Sequence, residues 1–179
     1  ADSSGRYRII FNGEIYNYLA LRKELSSQGH QFLTESDTEV LLAAFISWGQ
    51  ECLSRLNGFF AFAIYDQLTE ETFIARDRFG IKPLYWFQDE NKVLFASQLK
   101  SILAYQISKE LDLESLRLYF QLTYIPAPKT IFKDVKKLKP GHYLQIKSES
   151  VQEVCYYQLP DPSSARVSDL GQAKQLLKE

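Results

Sequence analysis

The sequence predicts an α+β fold in which two antiparallel sheets pack face to face and helices lie outside them. Its 179 residues are enough for one domain with a sizeable core. Twelve Phe and eleven Tyr residues favour strands and aromatic packing. Strand and helix patterns alternate at the start of the chain, and paired short strands separated by polar turns follow. This order is typical of antiparallel hairpins packed with helices.

The first predicted strand covers residues 7–11, which are mostly β-branched or aromatic. Asn12-Gly13 follows it, at the point where this strand is expected to stop or turn. An Asn-Gly pair ordinarily indicates a two-residue hairpin. Here a helical pattern over 18–28 follows instead of a second alternating strand, and Gly29 stands where a helix would end. A short strand is then predicted over 31–34.

Ser36 and Glu39 have the spacing of a capping box and precede an apolar run, so a second helix is predicted up to residue 48. Another Asn-Gly pair, at 57–58, opens a nearly continuous apolar run over 59–65. Such a run is typical of a strand that is covered on both faces. Because no Glu follows this second pair and a buried strand does, it is assigned no chemistry.

The remaining strands are predicted as hairpins. A strand over 72–75 pairs with 59–65, strands over 85–88 and 93–97 form a second hairpin, and strands over 143–147 and 151–157 form a last one. The other predicted elements are a helical turn over 52–56, a helix over 113–122 with Asp112 as N-cap, a proline-stiffened segment over 124–132, a linker over 160–168 and a last helix capped by Ser168. The charged loop over 76–83 is interpreted as an ion-paired, solvated scaffold.

Composition argues against several classes of function. The net charge of −1 gives no electrostatic reason to expect nucleic acid or an anionic membrane, and no apolar run approaches a membrane span. Cys52 and Cys155 form no CxxC pair and are expected to be buried in a protein of a reducing compartment, so a cytoplasmic location is predicted. His30 and His142 are too isolated to indicate a metal site. Neither GxxxxGK[ST] nor GxGxxG occurs, so no phosphate-binding loop is predicted.

Asn12, Gly13 and Glu14 form the principal candidate site. A side-chain amide N–H beside an unhindered backbone N–H can direct two donors at one oxygen, as an oxyanion hole requires. Glu14 could hold the ammonium group of a substrate. Asp37 has two interpretations that the residues leave open, because it could interact with the dipole of the second helix or bind substrate directly.

Several stretches resemble class II glutamine amidotransferases, and most closely the glutaminase domains of glutamine-hydrolysing asparagine synthetases. They are FNGEIYNY…LR, SDTE, ARDRFGIKPLYW, FASQLKSI and LKPGHYL. The resemblance covers roughly residues 7–157 and implies a four-layer αββα sandwich of the Ntn-hydrolase type. It implies that Asn12 and Gly13 form the oxyanion hole for glutamine hydrolysis, and that Glu14 and Asp37 bind glutamine. The sequence departs from the family at Gln98, where Glu is usual.

The resemblance also implies parts that this sequence lacks. Class II enzymes attack glutamine with an N-terminal Cys whose own amine serves as the base, whereas residue 1 is Ala. The family's Arg that binds the glutamine carboxylate would precede residue 1. We therefore expect an N-terminally truncated glutaminase-like domain over 1–158, and a linker and first helix of a missing synthetase domain over 159–179. An exposed sheet edge or apolar face is expected where strands are missing.

The expected function is that of a glutaminase-domain fragment of a glutamine-dependent asparagine synthetase, which this resemblance favours. The parent would hydrolyse glutamine through a cysteinyl thioester and pass ammonia to an aspartyl-adenylate. This chain alone is expected to be inactive and to need no cofactor, since ATP and Mg²⁺ would act in the missing synthetase domain, whose SGGxDS loop does not occur here.

The expected partners are glutamine and the missing synthetase domain or remaining N-terminal segment, and a homodimer is left open. Nucleic acid and membrane are not expected. Two other functions stay open. One is a non-catalytic interaction or support domain, similar to that of β-lactam synthetase. The other is an amidotransferase with another acceptor, such as a sugar phosphate.

Overall fold

The computed structural model describes residues 2, 4–148, 150–161 and 169–176. Within them the strands are β1 (Tyr7–Ile15), β2 (Gly58–Asp66), β3 (Glu71–Arg76), β4 (Tyr85–Gln88), β5 (Val93–Ala96), β6 (Val135–Lys137), β7 (His142–Lys147) and β8 (Ser150–Cys155). The helices are α1 (Tyr18–Ser27), α2 (Asp37–Trp48), α3 (Cys52–Arg55), α4 (Leu99–Leu103), α5 (Leu113–Leu122) and α6 (Leu170–Leu176).

The strands form two antiparallel sheets that face each other. The first has the order β1-β2-β3-β7-β8 and the second the order β5-β4-β6. Ala63 and Leu144 of the first sheet share one buried cluster with Trp86 of the second. Helices α1, α2 and α3 pack on the outer face of the first sheet, and α4 packs on the outer face of the second. The predicted αββα layers and the α+β class are therefore confirmed.

The position of strand β2 between two buried clusters explains why its sequence is nearly continuously apolar. Phe60 and Phe62 lie in the cluster beneath the helices, whereas Ala61 and Ala63 lie in the cluster between the sheets. Large side chains therefore face the helix layer, and small ones allow the second sheet to approach closely. The strand is buried on both faces, as the apolar run predicted.

Strand β1 does not end at Asn12-Gly13, so the predicted boundary is wrong. The strand continues to Ile15, which is 1% exposed and anchors its end in the core beneath the helices. Gly13 pairs with Phe60 in the regular antiparallel register. A Cβ atom on Gly13 would lie 2.1 Å from the carbonyl oxygen of Phe59, so the glycine serves a close approach of two backbones instead of a turn.

The strand predicted over 31–34 is absent; these residues form an irregular loop. The carboxylate of Glu39 explains the difference, because it accepts hydrogen bonds from the backbone N–H groups of Leu33 and Thr34, both at 2.8 Å. Those donors are satisfied by a side chain and need no partner strand. Ser36 is accordingly an ordinary N-cap and the predicted capping box does not form: Ser36 accepts from Thr38 N–H at 3.1 Å instead of from Glu39 N–H, and the Glu39 carboxylate turns toward the loop.

The loop over 76–83 is not the solvated ion-pair cluster that was predicted. Arg76 and Asp77 are buried, and backbone groups satisfy them. The Arg76 guanidinium donates to the carbonyls of Lys82, Gly80 and Leu138, and the Asp77 carboxylate accepts three backbone N–H groups of the same loop. These bonds fix the turn from the first sheet to the second.

The other predicted elements agree with the structure to within a few residues, including α5 with Asp112 as its N-cap. Helix α4 and strand β6 were not predicted. Ser168 and most of the predicted linker lie outside the described residues, whereas α6 follows where a helix was expected. Of the helices in the described ranges, none is both long and apolar enough to cross a bilayer.

Candidate functional site

Strand β1 carries three of the four predicted site residues in succession and forms one end of the first sheet. Side chains alternate along a strand, so Asn12 and Glu14 lie on the opposite face from Phe11 and Ile15, which pack beneath the helices. Asn12 lines a cavity of about 170 Å³ between the two sheets. Glu14 is exposed.

The backbone N–H of Gly13 points away from β2. Two hydrogen bonds mark the ends of the β1–β2 pairing: Gln67 N–H donates to Arg6 O, and Tyr16 N–H donates to Asn57 O. Even-numbered residues of β1 therefore turn their backbone groups toward β2, and odd-numbered residues turn theirs outward. No described strand pairs with this outer edge. Strand β1 is thus an edge strand of this open sheet, and the neighbouring Ile10 is 62% exposed on the face between the sheets.

Asp37 reaches the same edge of β1 from the start of α2. Its Oδ2 accepts a hydrogen bond from the N–H of Ile15 at 3.0 Å, two residues beyond Gly13. Ser36, and not Asp37, provides the capping oxygen of α2. The carboxylate of Asp37 thus ties the helix to the strand, and it lies on the side to which the N–H of Gly13 points.

The structure therefore brings all four predicted residues to one end of β1. The amide of Asn12 lies between the sheets, the N–H of Gly13 faces the open edge, and the carboxylate of Asp37 stands beside it. Of the four residues, Asn12 lines the cavity between the sheets, whereas Gly13, Glu14 and Asp37 are not among the residues that line it.

Ser97 and Asn17 also lie in the site region, although the sequence alone indicated no role for either of them. Asn12 Nδ2 donates to Ser97 Oγ at 3.1 Å across the gap between the sheets. Asn17 clamps the turn before β2, since its Nδ2 donates to Arg55 O at 2.9 Å and its Oδ1 accepts from Asn57 N–H at 2.9 Å. Both lie within stretches that carry the family resemblance, but nothing in the sequence indicates which partners they meet.

The cysteines are not suited to act as nucleophiles here. Cys52 is buried in α3, where desolvation, and secondarily the nearby charge of Glu51, raises the pKa of its thiol to about 12. The partly buried Cys155 donates its Sγ hydrogen bond to Tyr157 O at 3.3 Å. Within the described ranges, no three His, Cys, Asp or Glu side chains gather as potential metal ligands.

Comparison with known proteins identifies relatives in sequence and in fold. The glutamine amidotransferase domain family matches residues 1–157. Asparagine synthetase [glutamine-hydrolyzing] 1 of Bacillus subtilis is 46% identical over 143 residues, which are 80% of this chain and 23% of that protein. Asparagine synthetase [glutamine-hydrolyzing] 3 of the same organism is 44% identical over 147 residues, 81% of this chain and 24% of that protein. The chain thus spans about a quarter of the length of these curated relatives.

Among solved structures, the glutamine phosphoribosylpyrophosphate amidotransferase from B. subtilis superposes with a TM-score of 0.59 and 22% identity, over 89% of this chain and 31% of that one. At that identity the likeness concerns the fold, and it supports the αββα sandwich. The match of the domain family to nearly the whole described fold shows that the chain belongs to the glutamine amidotransferase domain family.

Proposed function

We propose that the chain is the glutaminase domain of a glutamine-dependent asparagine synthetase. In the whole protein it would hydrolyse glutamine and supply ammonia for the ATP-dependent amidation of aspartate. The observation that carries the proposal is the arrangement on β1, where Asn12 and Gly13 are consecutive, the Gly13 N–H faces the outer edge, and Asp37 accepts from the Ile15 N–H on that edge. The names of the similar bacterial synthetases support the choice of acceptor.

The roles follow from when charge appears on the substrate. Asn12 and Gly13 would donate to the carbonyl oxygen of the glutamine side chain as it becomes tetrahedral. Such donors stabilise a charge that exists in the transition state and is absent from the substrate. Asp37 and Glu14 would hold the α-ammonium group, which carries the same charge before and during the reaction.

The nucleophile would be an N-terminal cysteine in polypeptide that precedes residue 1 of this sequence in the whole protein. Cys52 and Cys155 do not compete for this role, because one is buried with a raised thiol pKa and the other is engaged with a backbone carbonyl. The chain alone is then inactive. ATP and Mg²⁺ would be used by a synthetase domain that follows the amidotransferase domain in the chain.

Steady-state kinetics of the whole protein test this proposal. Glutamate release from glutamine and asparagine formation from aspartate are measured for the wild type, Asn12→Ala and Asp37→Ala. Asn12→Ala should lower kcat for glutamine hydrolysis by about 10²–10³ with little change in KM, since an oxyanion donor is lost. Asp37→Ala should raise KM and nearly keep kcat, since uniform binding is lost.

Ammonia-dependent asparagine formation provides the control, because it bypasses glutamine and should be the same in both variants. The proposal is wrong if the wild type releases no glutamate from glutamine. The assigned roles are wrong if Asn12→Ala raises only KM or if Asp37→Ala lowers only kcat. Amidation of another acceptor in place of aspartate would keep the glutaminase role and overturn the synthetase assignment.

A further inference from the structure

The amide of Asn12 lies in a mostly apolar cavity. The surrounding side chains include Ile10, Ala61, Leu84 and Phe95, and among the lining residues the other polar side chain is that of Ser97. A primary amide can rotate about two side-chain bonds and can present either its oxygen or its nitrogen to a substrate. An oxyanion hole requires a donor whose direction is fixed before the reaction begins. Something must therefore hold the Asn12 amide in place.

Ser97 is the residue in contact with that amide. Its Oγ accepts a hydrogen bond from Asn12 Nδ2 at 3.1 Å, across 85 positions of sequence and between the two sheets. The contact occupies one of the two hydrogens on Nδ2 and leaves the other for a substrate oxygen. It also turns the amide nitrogen, not the oxygen, toward the side of Ser97.

The backbone around Ser97 is fixed on both sides. It directly follows β5, which pairs with β4 through Ala96, and α4 begins two residues later. Helix α4 is anchored by Ile102, which is 1% exposed in the cluster on the outer face of the second sheet. A serine held in this way can position a side chain that belongs to the other sheet.

We infer that Ser97 is a positioning residue for glutamine hydrolysis, which acts by holding the Asn12 amide in the orientation that donates to the oxyanion. The inference rests on the proposed function. Ser97 itself contacts no reacting atom and acts through Asn12. Its loss should therefore affect the transition state and not the binding of glutamine, and the effect should vanish where Asn12 is absent.

The first test requires no activity. The measurement is an NMR spectrum of the ¹⁵N-labelled 179-residue chain. The side-chain NH₂ signals of Asn12 are identified because they are absent from the spectrum of Asn12→Asp. Ser97→Ala should shift this pair and accelerate its exchange with solvent, whereas Ser97→Thr, which keeps the hydroxyl, should not. Ser101→Ala in α4 is the matched control, since it removes an exposed hydroxyl from the same region. Unchanged Asn12 signals in Ser97→Ala would overturn the positioning contact.

The second test uses glutaminase kinetics of the whole protein. Ser97→Ala should lower kcat about tenfold, the factor associated with one hydrogen bond of ordinary net strength, with KM nearly unchanged. Ser97→Thr should restore most of the activity. In the Asn12→Ala background, Ser97→Ala should cause no further loss, because the group it positions is gone.

These results separate the inference from the proposed function. A fully additive loss in the double variant, a rise of KM alone or a failure of Ser97→Thr to recover activity would show that Ser97 does not act through Asn12. A wild-type protein without glutaminase activity would overturn the proposed function and the positioning role of Ser97 in hydrolysis together. The NMR measurement would still decide whether Ser97 holds the amide.

Discussion

At the scale of single residues, the two carboxylates of the SDTE segment connect α2 to its surroundings. Asp37 accepts from the N–H of Ile15 on β1, and Glu39 accepts from Leu33 and Thr34 in the preceding loop. Burial by itself would raise the pKa of Glu39, but the hydrogen bonds from Leu33 and Thr34 outweigh it and lower that pKa below its ordinary value of 4.5. We therefore expect Glu39 to couple the order of this loop to pH.

The substitution Glu39→Gln tests this coupling. We expect it to lower the free energy of unfolding at pH 7 by about 1 kcal/mol, because an amide accepts fewer N–H groups than a carboxylate. The folded pKa of Glu39 lies below its unfolded value, so its contribution is complete above about pH 4.5 and is lost as pH falls through the folded pKa.

Urea titrations between pH 3 and pH 7 measure the effect. The difference between the wild type and Glu39→Gln should shrink toward acid pH. Glu35→Gln, an exposed carboxylate in the same loop, is the control and should change stability little at any pH. An unchanged difference across this range would show that the carboxylate charge of Glu39 does not hold the loop.

The sequence could identify the candidate site residues that lie together in one segment, and it could not predict the contacts between segments. Asn12, Gly13 and Glu14 are adjacent, so their combined chemistry is visible without a fold. Ser97 lies 85 positions from Asn12, and only the packing of two sheets brings it there. A lone serine near the start of a helix has no local signal that would indicate such a contact.

At the scale of elements, the two Asn-Gly pairs show how a turn signal can have another cause. Gly13 and Gly58 lie in neighbouring strands, where Gly13 pairs with Phe60 and Gly58 pairs with Ile15. At each of these glycines a Cβ atom would lie 2.1 Å from a backbone oxygen of the other strand. Steric closeness between strands, and not chain reversal, therefore requires glycine at both positions. Local turn statistics do not contain this information.

We expect Gly58→Ala to lower the free energy of unfolding by about 3 kcal/mol, because the methyl group would press against Glu14 O and the backbones would have to separate. Gly29→Ala is the matched control. Gly29 has φ +97° and open space around it, so its substitution should cost about 1–2 kcal/mol from backbone strain alone. Chemical denaturation measures both. Equal losses in the two variants would contradict the steric explanation.

Elements with a long hydrophobic pattern of their own could be predicted from the sequence. Segments whose structure depends on a contact with a distant residue could not. The run that became β2 is apolar throughout because both of its faces are covered, and α2 has a cap and a long apolar face. Residues 31–34 have strand-like composition, yet they form no strand because Glu39 satisfies their backbone donors. Arg76 at the end of β3 and Asp77 directly after it are buried because backbone groups solvate both, which composition does not reveal.

At the scale of the whole molecule, the helices differ in how much apolar surface they bury. Helices α1 and α2 bury a large cluster, whereas α5 has one buried residue, Ser115. Large apolar side chains on and just after α5 are exposed: Leu113, Tyr119, Phe120, Leu122 and Tyr124. We call this set the α5 apolar surface. Five exposed large apolar side chains within residues 113–124 exceed the scattered exposure of single residues, and such a concentration is typical of segments that associate with other protein.

We expect the isolated 179-residue chain to self-associate through the α5 apolar surface, and Phe120→Ser to reduce that association. Phe120 is 77% exposed, so its loss removes little packing within the chain and should change the free energy of unfolding by no more than about 0.5 kcal/mol. Light scattering after size-exclusion chromatography, over a range of concentrations, measures the association. Gln121→Ser, an exposed polar neighbour, should leave it unchanged. Equal association of the two variants would show that this surface does not drive association, whereas unfolding of Phe120→Ser would contradict the small stability effect expected for an exposed side chain.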